Sequence, residues 1–273
     1  MERATVTVDT FYRSKEKMEL MKTVTRLFVL TLLLPACIAM KVKAQSANAV
    51  LPEEKFTWKI AHAAEMSYLI YLPPGYDVKS TQRWPLMLFL HGAGERGTQV
   101  QRVAIHGPLS LVKQGTNFPF IIVAPLCPAG QLWENEPLLQ LLDRLTEKHA
   151  VDTNRVYLTG LSMGGYGTWK LGLQHAERFA ALAPICGGGS MIDVLLGTRD
   201  KKGEPLKSLP VWAFHGAKDD VVPVDESERM VKRMQKLGAT NVTLTIYPEA
   251  RHDSWKEAYA DPKFYEWLLK QSR

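Results

Sequence analysis

The sequence has no HExxH pair, no zinc-like cysteine spacing, no P-loop and no dinucleotide-binding fingerprint, so it implies neither a metal nor an organic cofactor. Internal repeats and low-complexity tracts are missing as well, and 273 residues, 46% of them hydrophobic, suit one globular domain with a sizeable core. A large excess of one charge is also lacking. The chain carries 34 Lys/Arg against 28 Asp/Glu, but residues 1–44 hold eight of the former and four of the latter, which leaves 26 and 24 in the remainder. That near balance gives no reason to invoke nucleic acid or an anionic membrane as a partner.

Cysteine is scarce, with three residues in all. Cys127 and Cys186 follow predicted strands three inter-strand steps apart, roughly 14 Å at about 4.8 Å per step. A disulfide needs Cα atoms within about 7 Å, so two independent thiols are expected.

What is present at the N-terminus reads as targeting. Lys22 and Arg26 lead into the apolar run Leu27 to Leu34, and Val42-Lys43-Ala44 resembles a small-x-small cleavage site before Gln45. The apolar run is too short to cross a bilayer comfortably. We therefore expect an N-terminal extension and signal peptide over residues 1–44, a catalytic domain over 45–273, a secreted or periplasmic location, and no stable membrane insertion of the mature form. A start at Met21 would give a signal of ordinary length. A lipid anchor at Cys37, from the lipobox-like Leu34-Pro35-Ala36-Cys37, and a buried N-terminal helix are the alternatives.

The chain is organised around Arg155-Val-Tyr-Leu-Thr-Gly-Leu-Ser-Met-Gly-Gly-Tyr-Gly167. It reads as a buried strand turning sharply at Ser162 into a helix, with G-x-S-x-G formed by Gly160, Ser162 and Gly164. Three matched positions arise by chance in about one protein in ten of this length, so the surroundings decide its meaning.

Those surroundings alternate strands and helices. Phe56 to Ala61 and Met66 to Leu72 read as an antiparallel hairpin, Leu86 to Leu90 and Phe118 to Ala124 as buried strands, and the leucines at 138, 139, 141, 142 and 145 as one face of a crossover helix. Beyond Ser162 come a helix to about His175, strands near Ala180 to Ile185, Val211 to Phe214 and Val242 to Tyr247, a helix carrying Met230, Met234 and Leu237, and a mostly helical end from Trp255 to Lys270. The pattern predicts an α/β fold with a mainly parallel sheet and helices on both faces. About two dozen residues separate Cys186 from Val211, enough for a short helix around Ile192 to Leu196 but not for a large cap domain.

A serine hydroxyl is a poor nucleophile at neutral pH. It needs a base, a group that orients the base, and donors for the developing oxyanion. The Asp219-Asp220 pair follows a buried strand end, and His252 falls in the loop Pro248-Glu-Ala-Arg-His-Asp-Ser-Trp255 after the last strand. Upstream, Leu90-His-Gly-Ala-Gly-Glu-Arg-Gly97 follows a strand and offers backbone N–H groups. His91 reads as a structural residue of that loop, while Glu95 and Arg96 read equally as loop partners or substrate contacts.

From Phe56 to Leu269 the chain resembles the α/β-hydrolase superfamily, and within it secreted bacterial esterases of the phospholipase/carboxylesterase and dienelactone-hydrolase type, a group that takes in predicted peptidases and feruloyl or acetyl-xylan esterases. His91-Gly-Ala-Gly-Glu-Arg-Gly97, Gly160-Leu-Ser-Met-Gly-Gly165 and His252-Asp-Ser-Trp255 carry the resemblance. It implies an α/β-hydrolase fold and the chain order serine, acid, histidine. The family's acid loop, G-x-x-D-x-x-V-P, aligned on Gly216 and Pro223, selects Asp219, with Asp220 as fallback. The implied triad is Ser162, Asp219 and His252, with the amides of Ala93 and Met163 as oxyanion donors and Gly94 second. Gln131, Trp133 and Trp255 are weaker candidates for contact with substrate. The expected activity is hydrolysis of short acyl or hydroxycinnamoyl esters, free or on plant polysaccharide, with no cofactor. A serine peptidase with the same triad and a non-catalytic binding protein on the same fold are the alternatives.

Overall fold

Strands buried on both faces are apolar at every position, and the second strand here is such a run. The computed structural model describes residues 65–199 and 203–273. In them seven strands, β1 (Tyr68–Tyr71), β2 (Trp84–Leu90), β3 (Ile121–Pro125), β4 (Val151–Leu161), β5 (Ala181–Ile185), β6 (Val211–Gly216) and β7 (Val242–Tyr247), form one sheet in the order β1-β3-β2-β4-β5-β6-β7. β1 runs antiparallel to β3 and the other pairs are parallel.

Side chains alternate across the pleat, so β2 feeds two cores. Leu86, Leu88 and Leu90 enter one apolar cluster and Met87 and Phe89 the other. The first cluster is closed by α2 (Asn135–Lys148), α3 (Met163–Gln174) and α6 (Asp225–Lys236), through residues such as Leu142, Trp169 and Met230. The second is closed by α1 (Pro108–Lys113), α7 (Trp255–Ala260) and α8 (Pro262–Leu269), through Leu109, Tyr259 and Phe264. Two further helices, α4 (Met191–Arg199) and α5 (Gly203–Ser208), lie between β5 and β6.

The structure refines several expectations. β4 has 11 residues, starting before the expected run at Val156 and reaching Leu161. The C-terminal helical stretch is two helices because Asp261 precedes Pro262, whose ring favours an extended residue before it; Asp261 then caps α8 by accepting from the Lys263 N–H at 2.9 Å. Cys127 and Cys186 are buried free thiols. The expected strand at Phe56, the targeting segment over 1–44 with Cys37, and the boundary at residue 45 lie outside the described residues. No helix among the described residues is long and apolar enough to cross a membrane.

The β2, β4, β5, β6 and β7 strands all end at the same sheet edge, and register fixes how far each reaches. Leu90 pairs with Gly160, Leu161 with Ile185, and Gly216 with Tyr247. The loops holding Ala93, Ser162, Asp219 and His252 therefore leave the sheet side by side.

Candidate active site

Ser162 stands between β4 and α3 with φ 52° and ψ −117°. A non-glycine residue in that region carries strain of about 1–3 kcal/mol, which the surrounding packing must over-determine. Gly160 and Gly164 make that packing feasible. A Cβ on Gly164 would lie 1.9 Å from the Leu90 carbonyl oxygen, and one on Gly160 would lie 2.5 Å from the Gly164 oxygen. Strand and helix backbones thus touch, and the turn between them is forced. The Ser162 N–H donates to the Ile185 carbonyl at 2.9 Å, with Cys186 Sγ also 3.2 Å away.

The hydroxyl Oγ of Ser162 lies 3.0 Å from His252 Nε2, and His252 Nδ1 lies 2.8 Å from Asp219 Oδ2. The other carboxylate oxygen, Oδ1, accepts the N–H groups of Val221 at 2.9 Å and Val222 at 2.8 Å. Asp219 is thus oriented by its own loop, and its side chain is fully buried. Buried His215 approaches Asp219 Oδ2 at 3.3 Å through Nε2 while also contacting the Val222 carbonyl at 2.9 Å and the Ser227 hydroxyl at 2.7 Å. Asp220 turns outward to an ion pair with Arg251 that holds its carboxyl below the usual carboxylate range.

Two helix starts lie in the loops beside the serine. Met163 opens α3, and Ala93 opens a 3-10 turn, Ala93–Glu95, and the first N–H groups of a helix have no acceptor within it. Both residues line a cavity of about 570 Å³ with Leu132, Trp133, Tyr166 and Gly167, and Arg96, Lys170 and Asp193 also contribute to its walls. Both cations are engaged: Arg96 donates to the Ala93 and Gln131 carbonyls at 3.0 Å each, and Lys170 to Glu134 at 2.6 Å.

A strained serine, a hydrogen-bonded histidine, a buried carboxylate and open amides are the parts of a serine-hydrolase site. The chain is also similar to known hydrolases. The phospholipase/carboxylesterase family matches residues 134–264, which include Ser162, Asp219 and His252. A thermostable esterase of known structure superposes with a TM-score of 0.64 at 33% identity, covering 80% of this chain and 62% of its own. The chain has the α/β-hydrolase fold.

Two curated relatives of this α/β-hydrolase are esterases by name. It is 29% identical over 155 residues to a bifunctional acetylxylan esterase/xylanase of Neocallimastix patriciarum, covering 54% of this chain and 21% of the relative. It is 32% identical over 106 residues to feruloyl esterase B of Piromyces equi, covering 35% and 19%. The matches thus span about a fifth of the length of either relative.

Within the hydrolase fold, the other expected contacts are distributed as follows. Trp133 is both core and cavity wall, and its indole N–H donates to the His91 carbonyl at 3.1 Å. Gln131 is exposed and contributes its backbone carbonyl to Arg96, leaving Leu132 to line the cavity. Trp255 stands edge-on to His252, 5.5 Å between ring centroids, and 5.4 Å from His106. Glu95 is buried between two histidines, 3.9 Å from His91 and 3.8 Å from His106, so it belongs to the loop. Arg96 both holds the loop and reaches the cavity. Sequence reasoning did not reach Tyr166, Lys170 or Asp193. For Tyr166 and Lys170 the only signal is position, since residues four and eight after Ser162 recur on one face of α3, and Asp193 on α4 has no such signal.

Proposed function

We propose that this α/β-hydrolase is a serine esterase acting through an acyl-enzyme. The observation that carries the reading is the continuous line from Ser162 Oγ to His252 Nε2 at 3.0 Å and from His252 Nδ1 to Asp219 Oδ2 at 2.8 Å. The Ser162 oxygen attacks the ester carbonyl carbon while its proton passes to His252 Nε2. Asp219, held by two loop N–H groups, orients the ring and stabilises the imidazolium. The carbonyl oxygen, now negative, takes hydrogen bonds from the Ala93 and Met163 amides, each such donor being worth about 3–4 kcal/mol of transition-state stabilisation. Collapse of the tetrahedral species expels the alcohol, which receives the proton from His252. Water then repeats the sequence to release the acid and free the serine.

The apolar cavity beside Ala93 and Met163 supports an acyl group larger than acetyl, and hydroxycinnamoyl esters, free or on plant polysaccharide, fit its size and walls. The names of the acetylxylan and feruloyl esterase relatives support the same choice. The segment 1–44 would direct the enzyme out of the cytoplasm, where such polymers lie.

The test is a substrate panel: p-nitrophenyl acetate, methyl ferulate, acetylated xylan and peptide amides, with fluorophosphonate labelling of wild type and Ser162→Ala. Turnover of esters with Ser162-dependent labelling is expected. Hydrolysis of peptide amides in preference to esters would reassign the protein as a peptidase, and absence of labelling in folded wild type would make it a non-catalytic member of the fold.

A further inference from the structure

His91 is buried, titratable and outside the steps above, yet every polar atom of its ring is committed. Nδ1 lies 2.7 Å from the Gly92 carbonyl oxygen, and Nε2 lies 3.0 Å from the Cys127 backbone nitrogen. A carbonyl only accepts and an amide N–H only donates, so these two contacts fix the tautomer: the proton sits on Nδ1 and the lone pair on Nε2. The ring is also packed edge-on against Trp133, with centroids 4.9 Å apart.

The Gly92 carbonyl and the Ala93 N–H belong to one trans peptide and point to opposite sides of it. Whatever grips that carbonyl therefore sets the direction of the Ala93 N–H. Gly97 closes the same loop by donating to the Cys127 carbonyl at 3.1 Å, so Cys127 braces both ends of the segment. On the facing side, Gly164 is closed on the carbonyls of Leu90 and His91, which fixes the start of α3, and so the Met163 N–H, against the same stretch of chain.

We propose that His91 is a positioning residue of the oxyanion site, holding the Gly92–Ala93 peptide so that the Ala93 N–H meets the acyl oxygen of a substrate on Ser162. The inference rests on the esterase reading of Ser162. Burial keeps the ring neutral by lowering its pKa from the ordinary histidine value, against smaller upward contributions from the Gly92 hydrogen bond and Glu95. The charged groups facing it are Glu95, 3.9 Å from Nδ1, and Arg96; the neighbouring Cys127 thiol is kept protonated by its own burial, and Trp133 is uncharged. Protonation at Nε2 would set that N–H against the Cys127 N–H and loosen the brace.

His91→Asn and His91→Gln separate the two contacts. The asparagine amide nitrogen falls near the place of Nδ1 and can still donate to Gly92, whereas glutamine reaches the place of Nε2 and can serve only Cys127. With p-nitrophenyl acetate, the Asn variant should keep kcat within about 5-fold of wild type, and the Gln variant should lose about 100-fold in kcat with KM within about 3-fold, as for removal of an oxyanion donor. The fraction of serine titratable by fluorophosphonate at completion should be equal in all three. Equal kcat in the Asn and Gln variants, or a loss confined to KM, would overturn the proposal while leaving the esterase reading intact. Wild type that neither hydrolyses esters nor takes the label would overturn the esterase reading and this proposal with it. Nitrogen-15 NMR of the wild-type ring, assigned by its absence in the Asn variant, should show a protonated Nδ1 and bare Nε2 near neutral pH; the opposite tautomer would overturn the proposal whatever the kinetics.

Discussion

Cys186 Sγ lies 3.2 Å from the backbone nitrogen of Ser162, and Cys186 itself has a positive φ of 41°. A thiol thus touches the nucleophile's own amide from below. Burial pushes that thiol up to about 12, so it is protonated at any pH at which the enzyme would be assayed. Cys127 is shifted in the same direction by the same cause. We predict that iodoacetamide at pH 8 leaves both unmodified and activity unchanged in the native protein, with both alkylated after denaturation, as read by peptide mass spectrometry. Native-state modification of Cys186 in step with loss of activity would contradict the burial.

The adjacent aspartates give a sharper contrast. Asp219→Asn should reduce kcat by about 10⁴-fold, because the amide can no longer hold His252 in the working tautomer or balance its charge. Asp220→Asn removes an exposed pair with Arg251 and should stay within about 3-fold of wild type. Reversal of that order would move the acid to Asp220.

Gly164→Ala puts a methyl group 1.9 Å from the Leu90 carbonyl oxygen, where neither backbone can yield cheaply. Overpacking of this kind costs about 1–3 kcal/mol or more. The variant is expected to unfold at lower temperature, and kcat should fall further than stability alone explains because the elbow must open. Calorimetry and kinetics at a temperature where the variant is folded would separate the two effects.

Leu132 is two-thirds exposed, at 66%, and lines the cavity. Leu132→Trp should narrow it, lowering kcat/KM for methyl ferulate by about 10-fold or more, within the usual range for a pocket contact, while p-nitrophenyl acetate changes little. An equal loss on both esters would place the acyl group elsewhere.

Acid should destabilise this fold through two imidazoles, one buried at His91 and one half-buried at His149. His91 and His149 both have pKa values lowered, in each case mainly by burial, so the unfolded chain binds protons that the folded chain refuses. Their contribution is complete above about pH 6.5, the unfolded histidine value, and is lost as pH falls from there toward the folded values. Urea midpoints measured from pH 8 to pH 5 should decline over the lower part of that range, and less so in His91→Asn.

Much of this architecture was legible in the chain because parallel strands buried on both faces have no polar positions to disguise them. Leu86 to Leu90 and Ala181 to Ile185 announce themselves, and the glycines around Ser162 mark a turn that no bulkier residue could make. Strand ends were less visible: Val151 to Arg155 continue β4 through polar residues that lie where the sheet meets solvent. The cavity walls were not legible. Tyr166 and Lys170 are ordinary helix residues, and only the way α3 leaves the elbow turns them toward the cavity. His91 was legible only as a structural residue of its loop, since the contact behind its proposed role is with the Cys127 N–H, 36 residues away on another strand's exit.

The exit from β3 therefore carries two responsibilities at once. Its Cys127 backbone braces the loop bearing Ala93, and a few residues later Leu132 and Trp133 form the cavity wall. In the proposed esterase, selectivity and catalytic power would be coupled along this one short stretch. An engineer who grafts a foreign loop there to change the acyl group accepted will retain turnover only where the graft keeps the backbone path at Cys127, so variation at 128–132 is a safer route to new specificity than exchange of the whole connection.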